Sequence, residues 1–239
     1  MAVELQGDLF DAPDNAVLIH ACNCQGSWGK GIAAIFRNKY PAAYRIYRAH
    51  CQKHLLEMKK ISKETSGAVS HGSADVSRTQ QRHSKQSLRT LEGTTLLIRP
   101  QASDYISGQR KRSSTKHKRG TLSTPEEVTG RKHWIACLFT SWHYGSKKGM
   151  PDEVLENTAL ALEDLKRQLE ELPLREKNET GGYPADEEGD NGKLEEKPTE
   201  LWSCRLNAGL FGVPWASTKE IIDELGLFIT VIIPPGEPL

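Results

Sequence analysis

Residues 16–36 are the stretch that most constrains how this chain can fold. An apolar run at residues 17–19 is followed by polar side chains at His20 and Asn23 and by a turn rich in glycine and serine. A helical pattern then begins at about Gly31. A buried strand, a glycine turn and a helix in this order form an anion site in α/β proteins, because the free N–H groups of the helix attract phosphate. The stretch therefore predicts a phosphate-binding site at a strand end.

A second glycine turn follows a later strand candidate and has the sequence NAGLFGVPW at residues 207–215. Either turn could be a simple tight connection, but two such turns at strand ends can hold a diphosphate from both sides. The first turn is neither a Walker A loop nor a G-x-G-x-x-G fingerprint, since Lys30 is followed by Gly31 rather than by Ser or Thr. A C-x5-R phosphatase loop and a D-x-D phosphoaspartate motif are absent from the sequence as well.

The apolar segments predict a sheet flanked by helices. Strands are expected at residues 2–5, 16–20, 94–99, 133–140, 202–206 and 227–233. Helices are expected at residues 31–40, from Pro41, from Pro151, and from a capping box at Ser217 and Glu220 to Gly226. This mostly β-α-β order predicts an α/β fold, a three-layer α/β/α sandwich around a mixed, largely parallel sheet. Ligands of such folds bind at the carboxyl ends of the strands, where both glycine turns lie.

Residues 1–239 are expected to form a single domain with polar insertions. Hydrophobic residues make up 37% of the chain and the mean hydropathy is −0.57, yet the apolar residues are clustered in clear segments. The insertions at 59–92, 101–132 and 173–200 lack apolar periodicity and are expected to be flexible. The basic run 110–119 could bind RNA or act as a nuclear signal, although a solvated loop is the preferred interpretation.

Charge and cysteine content limit the partners and the compartment. The net charge of +1 gives no global argument for nucleic acid or membrane binding. The N-terminal residues do not resemble a signal peptide, and no apolar run approaches the roughly 20 residues of a membrane span. Five cysteines, an odd number, favour a reduced cytoplasmic or nuclear protein. Cys22 and Cys24 form a lone C-x-C, which is weak evidence for zinc, so packing roles are preferred and neither a metal nor a cofactor is expected.

Three motifs together resemble the macrodomain family, an ADP-ribose-binding fold. They are GDL at residues 7–9, LIHACNCQGSWGKGIA at residues 18–33 and LNAGLFGVPW at residues 206–215. Within this family they are most similar to the fungal-type ADP-ribose 1″-phosphate phosphatases. The resemblance covers residues 1–58, 94–100, 133–171 and 201–239.

The resemblance implies a metal-independent hydrolase that converts ADP-ribose 1″-phosphate, a by-product of tRNA splicing, to ADP-ribose and phosphate. It implies that Asp8 accepts a hydrogen bond from the adenine amino group, that Asn23 meets the distal ribose and that Phe211 covers it. Backbone N–H groups of both glycine turns would wrap the diphosphate and the distal ribose. The implied substrate-binding residues are Gly7, Asp8, Leu9, Ala21, Cys22, Asn23, Trp28, Gly29, Lys30, Gly31, Ile32, Ala33, Leu206, Asn207, Ala208, Gly209, Leu210, Phe211 and Gly212.

Three residues are expected to carry the reaction, with water as the attacking group. His20 could be a core histidine, but a position at a strand end beside Asn23 favours a general acid or base, because its unperturbed pKa lies near neutrality. Asn23 and Asn207 are expected to hold the distal ribose and the phosphate. The turn amides and Lys30 are expected to neutralise the charge that develops on the phosphate.

Two residues depart from the family pattern. Lys30 stands where glycine is frequent, and it could either add charge near a phosphate or crowd the turn. Phe211 stands where some related hydrolases that release ADP-ribose from glutamate have Asp, which weakens that alternative. The alternatives left open are an ADP-ribosyl hydrolase for modified proteins, a non-catalytic ADP-ribose-binding module and an RNA-binding role. A monomer with a small nucleotide ligand and without membrane binding is expected.

Overall fold

A six-stranded sheet forms the centre of the structure, a computed structural model that describes residues 1–67, 91–107, 127–128, 130–172 and 197–237. In chain order the strands are β1 (Ala2–Gln6), β2 (Val17–Asn23), β3 (Thr95–Ile98), β4 (Ile106–Ser107), β5 (Glu127–Val128), β6 (Trp134–Ser141), β7 (Leu201–Cys204) and β8 (Ile229–Ile233). Strands β4 and β5 form a separate antiparallel pair, and the other six strands form the sheet.

The strand order across the sheet is β1-β8-β7-β2-β6-β3. Strands β1, β8, β7, β2 and β6 run parallel, and β3 lies antiparallel to β6 at one edge. Central strands β2 and β6 are almost continuously buried, as expected for parallel strands covered on both faces. The predicted mixed, largely parallel sheet is confirmed.

Helices cover both faces of the sheet. They are α1 (Gly31–Lys39), α2 (Pro41–Gly67), α3 (Ala102–Tyr105), α4 (Pro151–Glu171) and α5 (Trp215–Glu224). Helices α1 and α2 pack on one face through residues such as Phe36 and Tyr47. Helices α4 and α5 pack on the other face through residues such as Leu162 and Ile222. The predicted three-layer α/β/α sandwich is therefore confirmed.

Strand β2 continues three residues beyond its predicted end. His20, Ala21 and Cys22 pair with residues 137–139 of β6, so the ladder does not stop where the first polar side chain occurs. A register shift follows between Cys22 and Asn23, and the strand ends at Asn23. The expectation that His20 lies at a strand end was wrong, because this histidine lies within the strand.

The predicted capping box of the last helix was also wrong. Helix α5 begins at Trp215, and its N-cap is Pro214, which makes no side-chain capping bond. The backbone N–H of Ser217 donates to the carbonyl of Pro214 at 3.2 Å, so Ser217 already lies inside the first turn. The predicted stop is confirmed, since Gly226 follows the helix with a left-handed φ of +64°.

Parts of the predicted insertions belong to the ordered fold. Helix α2 continues through the start of the 59–92 insertion to Gly67, and Leu91 at its far end is buried in the core beneath α1 and α2. At the end of the third insertion, the carbonyl of Glu200 accepts a hydrogen bond of 2.8 Å from the N–H of Val17. The insertions are therefore shorter than their polar composition indicates.

The start of the 101–132 insertion is tied to α2. The carboxylate of Asp104 accepts hydrogen bonds from the N–H groups of Ala42 and Ala43, at 2.8 and 3.0 Å, and so caps the start of that helix. The basic run 110–119 lies outside the described residues. Among the helices that the structure describes, none has both the length and the apolar character needed to cross a membrane.

Candidate functional site

The two glycine turns lie side by side at one edge of the sheet. The first turn follows β2 and the second follows β7, and these two strands are parallel neighbours. Carboxyl ends of parallel strands meet at the same sheet edge, so the turns that leave them are neighbours as well. Asp8, which follows parallel strand β1, belongs to this same edge.

Asn23 shapes the first turn. Its side-chain Nδ2 donates to the carbonyl of Ser27 at 2.7 Å, and its Oδ1 accepts from the N–H groups of Gln25 and Ser27 at 3.0 and 3.3 Å. The hydroxyl of Tyr47 donates to the Asn23 carbonyl at 2.5 Å. The side chain is only 6% exposed. The side-chain hydrogen bonds of Asn23 are therefore made within the turn itself. Its role toward a ligand is to hold the turn in one conformation.

The start of α1 can receive an anion. Gly29, Lys30 and Gly31 are all exposed, and Lys30 is the N-cap of α1 without a side-chain capping bond. The first-turn N–H groups of a helix have no partner inside the helix, so an uncapped start leaves them available. No acidic residue lies in this first turn to compete with an anion. The first-turn amides and the partial positive charge of the helix end can thus bind phosphate.

The second turn is held in shape by Asn207. This residue adopts a left-handed φ of +62°, and its carbonyl accepts from the N–H of Val213 at 3.1 Å. Its side-chain Nδ2 donates to Oγ1 of Thr158 on α4 at 2.9 Å. Its Oδ1 is buried and has no hydrogen-bond partner within the described residues. The side chain is directed largely into the protein and leaves one acceptor unused.

The two turns approach each other closely. A methyl group added to Gly31 would lie 3.4 Å from Cδ1 of Leu210, so the start of α1 leaves room for little more than one methyl group beside the second turn. Leu210 is 61% exposed, which places this close approach at the surface. The structure therefore brings together the two glycine turns that the sequence singled out.

Asp8 lies at the end of β1 and remains exposed. Its Oδ1 accepts a hydrogen bond of 2.9 Å from the N–H of Phe10 and caps the short 3₁₀ turn Leu9–Asp11. The neighbouring Gly7 N–H donates to the Ile233 carbonyl at 3.0 Å. The backbone around Asp8 is thus fixed to the sheet, while the carboxylate remains accessible to a ligand.

His20 is enclosed by aromatic rings. It has no exposed surface, its ring stacks on Phe36 with centroids 4.2 Å apart, and the ring of Trp28 meets it edge-on at 4.8 Å. Sγ of Cys22 lies 3.5 and 3.6 Å from the two ring nitrogens. The imidazole thus belongs to the core on the α1 and α2 face. This geometry does not support the expected contact between His20 and a substrate.

A buried thiol cluster surrounds His20. His20, Cys22 and Cys137 could each offer a ligand atom to a metal, and these atoms lie within 4.8 Å of one another. The similar distances from Sγ of Cys22 to both ring nitrogens place the sulfur off the lone-pair direction of either nitrogen. Burial, together with a hydrogen bond to Cys137, raises the pKa of the Cys22 thiol well above its ordinary value. The protonated Cys22 thiol therefore packs as a small apolar group.

The other predicted site residues divide into buried and accessible groups. Leu9, Cys22, Trp28 and Leu206 are buried, so their side chains are not accessible to a ligand. Residues with exposed or partly exposed surface are Gly7, Ala21, Ile32, Ala33, Ala208, Gly209, Phe211 and Gly212. The accessible group lies on the two turns, in the first turn of α1 and near the carboxyl ends of β1 and β2.

Curated proteins are similar to this chain over nearly its full length. A protein named ADP-ribose 1″-phosphate phosphatase from Ajellomyces capsulatus is 43% identical over 259 aligned residues, covering 98% of this chain and 96% of that protein. Proteins of the same name are 42% identical in Aspergillus fumigatus, over 98% and 94% of the two chains, and 32% identical in Debaryomyces hansenii, over 96% and 97%. The chain belongs to the ADP-ribose 1″-phosphate phosphatase family.

Solved structures show that this family member has the macrodomain fold. The macrodomain of Mycobacterium tuberculosis DarG matches it with a TM-score of 0.50 at 17% identity, over 98% of both chains. Thermosipho africanus DarTG in complex with ADP-ribose matches with a TM-score of 0.50 at 14% identity, over 100% of this chain and 43% of the other. No protein-family model matches the chain. At these identities the structural likeness concerns the fold alone.

One residue of this ADP-ribose 1″-phosphate phosphatase family member was missed by sequence reasoning. Lys148 lies in the loop after β6, and its Nζ donates to the carbonyl of Leu210 at 3.0 Å. The same loop contacts the first turn, since Nε2 of Gln25 donates to the carbonyl of Trp142 at 2.9 Å. The available signal was the position of this loop after the strongest apolar strand, where the sequence contains a pair of lysines.

Proposed function

We propose that this chain hydrolyses the 1″-phosphate of ADP-ribose 1″-phosphate, giving ADP-ribose and inorganic phosphate. The observation that carries the proposal is its 42–43% identity, over 98% of its length, to proteins named for this activity. Coverage of this extent includes both glycine turns and the strands that precede them. The close approach of the two turns supports the proposal, because a dinucleotide-like ligand can then meet both of them.

The proposed ligand extends along the carboxyl edge of the sheet. Asp8 would bind the adenine end through the accessible part of its carboxylate, since only Oδ1 is used by the Phe10 N–H. The pyrophosphate would lie against the uncapped N–H groups at the start of α1. The distal ribose would lie between the two turns, with Phe211 beside it. Such an arrangement leaves the 1″-phosphate near the second turn.

The reaction transfers a phosphoryl group to water. The water oxygen forms a bond to phosphorus, the bond between phosphorus and the 1″-oxygen breaks, and that oxygen leaves on ADP-ribose with a proton. Catalysis of phosphoryl transfer depends mainly on positioning and on stabilising the charge of the transferring group. The turn amides and nearby lysines can supply both, and the enclosed His20 is not needed for either.

Asn23 and Asn207 are positioning residues in this proposal. Asn23 spends three hydrogen bonds on the first turn, and Asn207 ties the second turn to Thr158. Each asparagine thus holds the backbone of its turn in one conformation. Preorganised donors stabilise developing charge without reorganising during the reaction.

Phosphate release tests the proposal. We expect the wild-type protein to release inorganic phosphate from ADP-ribose 1″-phosphate without added metal, and to bind ADP-ribose in calorimetry. Release of ADP-ribose from an auto-modified protein, with no phosphate release, would instead identify an ADP-ribosyl hydrolase. Tight ADP-ribose binding without turnover of either substrate would identify a binding module.

We also propose that the protein is a monomer of the cytoplasm or nucleus. All five cysteines are free thiols, which fits a reducing compartment. Gel filtration should show a mass near 26.7 kDa, and a mass twice as large would contradict the monomer. Cell fractionation with an antibody would test the compartment.

A further inference from the structure

Lys148 reaches the second glycine turn from a third loop. This loop follows β6 and contains the 3₁₀ turn Gly145–Lys147, after which Lys148 begins an extended stretch. Nζ of Lys148 donates to the carbonyl of Leu210 at 3.0 Å. A charged side chain is therefore directed at the second glycine turn.

The loop that carries Lys148 is tied back to the sheet. Oγ of Ser141 donates to the carbonyl of His143 at 2.9 Å and accepts from the N–H of Gly149 at 2.9 Å. Ser141 is fully buried at the end of β6, so both bonds anchor the loop to the core. The backbone on each side of Lys148 is thus fixed, and the position of its ammonium group is restricted.

The second turn is shaped to accept this ammonium group. Gly212 has a left-handed φ of +70°, and a methyl group added to it would lie 2.8 Å from Nζ of Lys148. The left-handed backbone favours glycine here, and the short distance places the ammonium group against the turn. Leu210 of the same turn lies beside Gly31, so the ammonium lies close to the place where the two turns approach each other.

Among the described residues, no carboxylate neutralises the charge of Lys148. An ammonium group has three donors, and the Leu210 carbonyl uses one of them. In the part of the chain that the structure describes, no salt bridge joins Lys148 to a carboxylate. Two donors and a full positive charge are therefore available to an anion.

We propose that Lys148 binds the 1″-phosphate and so selects the phosphorylated substrate over ADP-ribose. This inference rests on the proposed function and names the group that recognises the part of the substrate to be removed. A phosphate monoester carries close to two negative charges at neutral pH, whereas ADP-ribose lacks this group. Charge-assisted hydrogen bonds are stronger than neutral ones, so Lys148 contributes to the binding of one ligand and little to the other.

Lys148→Met tests the proposal with Lys147→Met as its matched control. The two lysines are adjacent in one loop, and the control removes the same charge from an exposed side chain. We expect Lys148→Met to lower kcat/KM for ADP-ribose 1″-phosphate by about tenfold or more, and to change the Kd for ADP-ribose by less than about twofold. Lys147→Met should leave both values unchanged, and Lys148→Arg should restore most of kcat/KM.

Three results would overturn the proposal. An equal loss of kcat/KM and ADP-ribose affinity in Lys148→Met would mean that the lysine only holds the turn. No change in either value would mean that it has no role at the site. An equal effect of Lys147→Met would mean that only the general charge of the loop matters. Wild-type protein that releases no phosphate would contradict the proposed function itself, so the two failures are distinguishable.

Discussion

The imidazole of His20 has protein on its faces and along its edge. Phe36 stacks on it, Trp28 meets it edge-on, and Cys22 lies beside both ring nitrogens. A histidine in such surroundings acts as an aromatic ring of the core. Its contribution is to fix Trp28, whose backbone belongs to the first glycine turn.

His20→Phe should therefore preserve activity. The phenyl ring keeps the stacking, so we expect kcat for ADP-ribose 1″-phosphate to stay within about threefold of wild type. His20→Ala should lower the free energy of unfolding by about 3 kcal/mol, because it leaves a cavity beneath the turn. Urea unfolding and phosphate release measure the two effects. A fall in kcat of about 100-fold in folded His20→Phe would restore the acid–base hypothesis.

The positions of single site residues were more predictable than their bonds. The glycine turns and Asn23 could be located from sequence because turn chemistry is local. The use of Asn23 to bond its own turn, and of Asn207 to bond Thr158 on α4, depends on side-chain directions that spacing does not determine. Lys148 was missed for the same reason, since it meets Leu210 across 62 residues of sequence.

At the scale of elements, the junction between α1 and the second turn depends on Gly31. Gly31→Ala should lower the free energy of unfolding by about 1 kcal/mol, because its φ of +59° is costly for alanine. It should also weaken ADP-ribose binding by about tenfold, since an alanine that leaves the left-handed conformation changes the direction of the N–H groups at the start of the helix. Thermal unfolding and calorimetry are the measurements.

Gly226→Ala is the control for Gly31→Ala. Gly226 has a similar φ of +64°, lies in open space after α5 and belongs to neither glycine turn. Gly226→Ala should lower the free energy of unfolding about as much as Gly31→Ala does, and it should keep the wild-type affinity for ADP-ribose. If both variants lost affinity equally, the effect of Gly31→Ala would be one of stability alone.

The central residues of the helices and strands were predicted well from sequence, whereas the ends of the insertions were not. Helix α2 runs on to Gly67 through polar residues, where no apolar period marks its course. Its start is capped by Asp104, which lies about 60 residues further along the chain. A cap this distant along the chain leaves no local sequence pattern. The start of the insertion was therefore predicted from composition, at a point where the fold is not interrupted.

At the scale of the whole molecule, the β-α-β order of the sequence was enough to predict the three layers, but it did not predict the order of the strands in the sheet. Burial on both faces explains the apolar character of β2 and β6. The pairing of β1 with β8 joins the two ends of the described chain, and only long-range contacts determine it. This pairing brings Asp8 to the carboxyl edge that also carries the glycine turns.

A buried histidine makes the stability of the molecule depend on pH. Nε2 of His133 donates to the carbonyl of Ala12 at 2.9 Å, so Nδ1 of the neutral ring accepts from the Tyr40 hydroxyl at 2.7 Å. Burial lowers the pKa of His133 below its ordinary value of 6.5. Below that pH the unfolded chain binds the proton more readily than the folded protein does. The contribution of neutral His133 to the free energy of unfolding is therefore fully present above pH 6.5 and is lost as the pH falls.

Urea unfolding at several pH values tests this dependence. The free energy of unfolding of the wild type should decrease between pH 7.5 and 5.5, with His133 adding a slope of at most about 1.4 kcal/mol per pH unit. His133→Gln should be less stable at pH 7.5 and should show a shallower slope. An identical slope in the variant would mean that other groups cause the loss.

The burial of four cysteines lets the folded state be followed by thiol modification. Cys22, Cys24, Cys51 and Cys137 are buried, whereas Cys204 is partly exposed. A thiol-specific reagent can modify the four enclosed sulfurs only after the structure opens, so their rate of modification reports how often each molecule opens. Bound nucleotide would slow that modification to the extent that it holds the protein closed. Ligand affinity can thus be read from cysteine chemistry, without following turnover.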